Sequence, residues 1–304
     1  MTTPATRRAQ KAPASSERAD LEPTALYTAG VWAWARLACA ELFDHAESRN
    51  VFGVVNFALS LAGIFRLRAP SLRHSLVQRH VMIDRLLDES GCAQILELAA
   101  GLSPRGARVS ANPDVVYVEV DRSTLFERKR ALLRRSEQGR VVLARPNLRF
   151  VAGDLTELEL DSVAPPASGP LCVIAEGLCM YLDADSLQRL AAQVHALLRA
   201  RGGSFLFDLV PAIEQPKSGL LGRALGWLMR IVTRGGAFVR DERKRNDIAA
   251  ALRAVGFSSV DLYEPKSAPV GWQLPHLDRR TQQLVFAAHV ALPALVLATP
   301  GVPQ

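Results

Sequence analysis

Seven short apolar runs, six to nine residues each, punctuate residues 94–291, at 94–99, 115–120, 148–153, 171–176, 203–210, 259–264 and 284–292. Runs this short and this apolar fit strands covered on both faces, not amphipathic surface strands. Helical patterns separate several of them. Leu187, Leu190, Val194, Leu197 and Leu198 repeat at helical spacing behind a plausible N-cap at Asp183, and Ile248, Leu252 and Val255 close at Gly256. Buried strands alternating with helices imply an α/β fold with a Rossmann-like, doubly wound sheet. The last two runs differ. They are joined by "PKSAPVGWQLPHLDRRTQ", whose three prolines leave no periodic helix, so the seventh strand is free to run antiparallel.

Residues 22–92 carry a separate, helical pattern that contains Trp32 and Trp34. Its final segment, "RHVMIDRLLDESG", places Met82, Ile83, Leu86 and Leu87 on one face and Gly91 at the C′ position. This part reads as a helical lid or substrate cap, 93–304 as the cofactor-binding domain, and 1–21 as a disordered tail rich in Ala, Ser, Pro and charge. The tail has no apolar core of the secretory type. The apolar stretch 51–65 is 15 residues long, too short to span a bilayer comfortably, and reads as a buried or lid helix with no stable membrane insertion. The net charge of +7 comes with acids interspersed, as in "RDERKR", and aromatics do not interleave with it, so nucleic acid is not the expected partner. Cys39, Cys92, Cys172 and Cys179 lack metal-ligand spacing, and three of them sit in apolar surroundings and read as core thiols of a reducing, cytoplasmic compartment.

The chemistry is expected where the strands end, because open α/β sheets bind ligands at their carboxyl edge. "ILELAAGLSPRG" runs a strand into a small-residue turn in which Gly101 can take a positive φ, and Glu97 just before it offers a carboxylate for an ammonium group. As a dinucleotide fingerprint it is poor, and it has few donors for a pyrophosphate. Asp121 ends the second run, 20 residues after Gly101, where a carboxylate can accept both hydroxyls of an adenosine ribose. That fits NAD and S-adenosyl-L-methionine equally, and helix capping is its structural alternative, although Ser123 is better placed to cap. Asp154 with Leu155 follows the third run and suits an adenine edge; Glu176 follows the fourth. Four acids in register after successive strands suit a cofactor with an ammonium, a ribose diol and an adenine, but no phosphate.

The segments "ILELAAGLSPRGARV", "VYVEVDRSTLFERKRALL" and "VIAEGLCMYL" resemble the leucine carboxyl methyltransferase family and its polyketide O-methyltransferase relatives, over about residues 24–210. The resemblance implies a class I fold, seven strands with an antiparallel last one, and S-adenosyl-L-methionine as cofactor. It implies that Arg79, on the helix before the first strand, holds the cofactor's carboxylate. It also carries the cofactor-binding role onto Asp121, Asp154, Leu155 and Glu176, with Glu176 at the methionine end. The family's usual Gly-Ala-Gly reads Ala99-Ala100-Gly101 here, its following Asp is Ser103, and its Leu-Pro after Asp121 is Arg122-Ser123. Ala99 narrows the loop, while no charge partner is lost.

The expected reaction is therefore methyl transfer to a carboxylate or hydroxyl of a small, apolar or polyketide-like acceptor. Tyr181 either faces that acceptor or closes the following helix. His74, His80 and His276 lie near the lid, and none is assigned as a base. Two alternatives share the sheet: an NAD(P)-dependent oxidoreductase, which would want a richer glycine loop, and a non-catalytic adenosyl-binding protein.

Overall fold

A computed structural model describes residues 22–64, 71–166, 169–211, 242–277 and 283–291. Three helices, α1 (Glu22–Trp34), α2 (Ala46–Ile64) and α3 (Leu72–Ser90), precede β1 (Gln94–Leu98). The chain continues through α4 (Arg105–Val109), β2 (Val116–Asp121), α5 (Ser123–Leu133), α6 (Glu137–Leu143), β3 (Leu148–Ala152) and β4 (Leu171–Ala175). It ends with α7 (Ala184–Arg199), β5 (Gly203–Asp208), α8 (Arg245–Val255), β6 (Ser259–Tyr263) and β7 (Val285–Val290). All seven apolar runs are strands. They form one sheet in the order β3-β2-β1-β4-β5-β7-β6. β1 to β5 pair in parallel, whereas β7 lies antiparallel to both β5 and β6. Among its described residues the proline-containing connection makes short 3₁₀ turns at Pro265–Ser267 and Val270–Trp272, and β7 follows in the reverse direction.

The helix signals hold at three ends, among them Gly256 at the close of α8, and fail at one. Gly91 closes α3 at φ 61, and Asp183 Oδ1 accepts the Ser186 N–H at 2.7 Å at the start of α7. Ser123 is instead the first residue of α5, with Arg122 at the N-cap and no side-chain cap. Asp121 does not cap it either: its Oδ1 takes the N–H of Arg122, the residue before the helix, at 2.7 Å. The apolar stretch 51–64 lies in α2, and no helix among the described residues is long and apolar enough to cross a membrane.

Strand alternation divides the core into two clusters. Leu96, Leu98, Val118, Val120, Val173, Phe205 and Phe207 face α7 and α8. Ile95, Tyr117, Cys172, Ile174 and Leu206 face the other way, where α1, α3 and α5 bring Trp32, Met82, Ile83 and Leu125 against them. In the register Glu97↔Glu119 and Ile95↔Tyr117, the parity that buries Ile95 also buries Glu97, Glu119 and Asp121 on this second face.

Candidate cofactor site

Three of the expected acids and Arg79 meet at the carboxyl edge of the sheet. After β1 the chain turns through Ala99 at φ 53 and Gly101 at φ 56, both left-handed. The Gly101 N–H donates to Asp121 Oδ2 at 2.7 Å, which ties the turn to the end of β2. Asp121 is 8% exposed. Burial raises its carboxyl pKa despite the two backbone N–H donors that oppose the shift. Each of its oxygens still has lone-pair capacity for a ligand hydroxyl. Asp154 Oδ1 accepts from the backbone and hydroxyl of Thr156 at 2.9 and 2.7 Å, which sets the turn after β3, and Leu155 packs at the rim of the apolar core.

The deepest part of the site is a buried ionic cluster. Arg79 on α3 donates through Nε to Glu176 Oε1 and through Nη1 to Asp208 Oδ2, both at 3.1 Å. Glu176 Oε2 accepts from Arg105 Nη2 at 2.7 Å and lies 2.9 Å from His80 Nδ1. Arg105 also reaches Glu97 Oε1 and Asp84 Oδ1, each at 2.5 Å, and Tyr117 donates to Glu97 Oε2 at 2.8 Å. Burial would raise the Glu176 carboxyl, but His80, Arg105 and Arg79 together hold it well below the usual carboxylate range. Asp208 goes the other way. Burial pushes it up, and Arg79 and the Gly177 N–H, which donates at 2.6 Å, offset this only in part.

The expected Glu97 is thus in the cluster, but both of its oxygens are engaged inside it by Arg105 and Tyr117. Arg105, Asp208, Asp84 and His80 were not among the expected site residues. One of them had a readable signal, since Asp208 ends β5 as Asp121 ends β2. Arg105 lies inside the strand-to-turn motif, but nothing in that motif marks it as buried. Tyr181 ends the 3₁₀ turn Cys179–Tyr181, with its hydroxyl toward Thr24 of α1, and burial raises its pKa. His74 and His276 stack with Trp34, at ring-centroid distances of 5.6 and 4.4 Å. His80, under the Trp32 ring at 5.0 Å, belongs to the ionic cluster.

The donor set fits a cationic amino-acid-like group. Glu97, Glu176 and Asp208 share two guanidiniums, while Asp84, farther out, is also paired with Arg108 at 3.3 Å. This leaves an excess of carboxylate, before the imidazole of His80 is counted, that a ligand with net positive charge would neutralise. Gly177, at φ 71, keeps the flank of Arg79 clear, because a Cβ there would stand 3.2 Å from Nη2.

The sheet order and the reversed β7 define the class as a Rossmann-like methyltransferase fold. The chain belongs to the leucine carboxyl methyltransferase family, a family of S-adenosyl-L-methionine-dependent methyltransferases, and that family's model matches residues 38–195. A relative from Frankia alni, named for S-adenosyl-L-methionine-dependent methyl transfer, is 30% identical over 204 residues, which cover 65% of this chain and 59% of that protein. A relative of similar name from Mycolicibacterium smegmatis is 36% identical over 125 residues, 40% of each chain. The chain therefore spans less than two thirds of the length of these relatives. Among solved structures, a Thermobifida fusca protein named for methyl transfer superposes with a TM-score of 0.54 at 17% identity, over 92% of this chain and 97% of its own. A DUF574-family protein from Streptomyces avermitilis gives 0.54 at 14% identity, over 88% and 100%. At these identities the two structures show the fold alone.

Proposed function

We propose that this chain is an S-adenosyl-L-methionine-dependent O-methyltransferase acting on a carboxylate or hydroxyl of a small, apolar or polyketide-like acceptor. The observation that carries the reading is the Arg79–Glu176 pair at the sheet's carboxyl edge, with the Arg79 flank left clear by Gly177. When bound, the cofactor supplies an electrophilic methyl group on a sulfonium. Arg79 binds its carboxylate with a guanidinium fork. Glu176, held as a carboxylate by its cationic neighbours, meets the ammonium. Asp121 accepts the ribose hydroxyls from beside the Ala99–Gly101 turn, and Asp154 with Leu155 faces the adenine edge.

Methyl transfer is an in-line displacement whose rate depends chiefly on alignment of acceptor oxygen and methyl carbon. A carboxylate acceptor needs no base. A hydroxyl acceptor needs one within hydrogen-bond reach. We assign none: His80 is engaged with Glu176, and His74 and His276 are stacked on Trp34. Helices α1 to α3, with Trp32, Trp34 and Phe52, form the cap that excludes water, and Tyr181 borders the acceptor side. The excess carboxylate of the cluster disfavours the pyrophosphate of a nicotinamide dinucleotide.

Isothermal titration with S-adenosyl-L-methionine, its demethylated product and NAD tests the cofactor reading. Micromolar or tighter binding of the sulfur compounds is expected, about −8 kcal/mol. Binding of NAD alone would refute it. Radiolabelled methyl transfer to a panel of aromatic carboxylic acids, phenols and aliphatic alcohols then separates the acceptor classes.

A further inference from the structure

Arg105 is fully buried, with 0% exposure, as Glu119 and Asp208 also are, and it cannot touch a ligand at the open edge. Its three nitrogens each reach a different carboxylate on a different segment. Nε goes to Asp84 on α3, Nη1 to Glu97 on β1, and Nη2 to Glu176 after β4. A planar fork can satisfy three such acceptors at once; a lysine ammonium, a point charge on a flexible stem, holds no comparable geometry. The arrangement also divides the two oxygens of Glu176 between different partners. Oε2 is taken by Arg105 and His80, leaving Oε1 for Arg79. The Arg105 backbone N–H closes the turn as well, donating to Ser103 Oγ at 3.3 Å.

We propose that Arg105 is a positioning residue for the cofactor's amino-acid end, holding Glu176 ionised and aimed beside Arg79 without contacting the cofactor itself. The proposal rests on the methyltransferase reading above. It assigns Glu97 a task different from the ammonium contact expected of it, namely orienting Arg105 from the inside with the help of Tyr117. The groups facing Glu176 are Arg79 and His80 from α3, Arg105 from α4 and Asp208 from β5; Glu97 and Asp84 lie behind Arg105.

The test is a double-mutant cycle on the full chain with S-adenosyl-L-methionine as titrant, using Arg105→Lys, Glu176→Gln and their combination. At pH 7.5, Arg105→Lys is expected to raise Kd about tenfold, and to have little further effect once Glu176→Gln is present, because the two act as a unit. The Kd of Arg105→Lys should also rise as pH is lowered to 5.5, since Glu176 loses part of what keeps it ionised, while the parent stays within about twofold. A purely structural Arg105 would lower the melting temperature but give additive Kd effects and an unchanged pH profile, and that result overturns the proposal. If Arg105→Lys does not fold, Asp84→Asn loosens the same guanidinium from its outer side. It should raise Kd twofold to threefold, and an unchanged Kd refutes the assignment. Failure of the parent to bind S-adenosyl-L-methionine refutes the methyltransferase reading itself, and this proposal with it.

Discussion

The two faces of the sheet are built from the same strands and put burial to opposite uses. Toward α7 and α8, the described strand residues of β1, β2, β4 and β5 include no charged side chain, and the helices answer with Leu187, Val194 and Leu198. Toward α3, α4 and α5, the same strands present Glu97, Glu119, Asp121 and Asp208, matched by Arg79, Arg105 and Lys129. Desolvating a pair of ions costs several kcal/mol per ion, and mutual attraction repays this only when geometry and hydrogen bonding are good. The apolar face needs no such compensation. It is the source of stability, and the charged face is where stability is exchanged for a fixed electrostatic pattern at the sheet's edge.

The sharpest way to break this contrast is to unbalance the charged face. Arg79→Met leaves Glu176 and Asp208 buried without their shared guanidinium, and removing one partner of a buried pair costs about 3–5 kcal/mol. Urea unfolding should show that loss, and titration should show no measurable S-adenosyl-L-methionine binding in the fraction that folds. A variant as stable as its parent would mean that the cluster rearranges freely.

On the apolar face the expected pattern is a stability loss with no loss of affinity. Leu198 on α7 is 0% exposed, and Leu198→Ala should cost about 3 kcal/mol through lost burial and the cavity left behind. Cofactor affinity, measured well below the melting transition, should stay within about twofold. A tenfold change in Kd would show that the two faces are coupled through the sheet.

Most of the apolar face could be read from the sequence, because it depends on short-range pattern. Short continuous apolar runs and the 3.6-residue repeat of α7 are local signals, and the three prolines before β7 left it free to reverse. The charged face was legible only at its rim. Asp121 and Glu176 follow strands, and Arg79 came through resemblance to a family. Arg105 was missed because its three partners come from distant parts of the chain, and an arginine in a turn ordinarily reads as solvated. His80 was passed over for a similar reason: helix periodicity does not say that its side of α3 rests on Trp32 and Glu176. Asp208 is different. It obeys the strand-end rule that found the other acids and was overlooked within an apolar run.

The pH dependence of stability separates the charges within the second face. Glu119 is pushed up to about 7, by burial first and Glu97 next, with Lys129 opposing. Asp208 is also raised. An acid whose folded pKa lies above its unfolded value stabilises the fold at low pH, and loses that contribution as pH rises through the folded value. Asp84 and Glu176, held below their ordinary values against the effect of burial, contribute above the usual carboxylate range and lose it as pH falls further. Urea midpoints should therefore decline as pH rises toward about 7, where Glu119 ionises, and decline again as pH falls below the usual carboxylate range. Glu119→Gln should flatten the decline toward about pH 7 and leave the acid side unchanged. Equal slopes in the two proteins would place the titration elsewhere.

The smallest expected effect concerns the turn that joins the charged face to the cofactor site. Ala99 sits at φ 53, where a Cβ crowds the following carbonyl, at a cost of roughly 1–2 kcal/mol for an L-residue. Glycine removes that strain but adds about 0.5–1 kcal/mol of unfolded-chain entropy. The two terms nearly cancel, with the balance on the side of relief. Ala99→Gly should accordingly stabilise the protein by up to about 1 kcal/mol, although glycine substitutions usually destabilise. Because the family's usual residue at this place is glycine, cofactor Kd should also fall, by no more than about threefold. The urea midpoint of Ala99→Gly decides the matter. If it drops, Ala99 is not strained, and the Gly101–Asp121 hydrogen bond at 2.7 Å carries the turn without help from its neighbour.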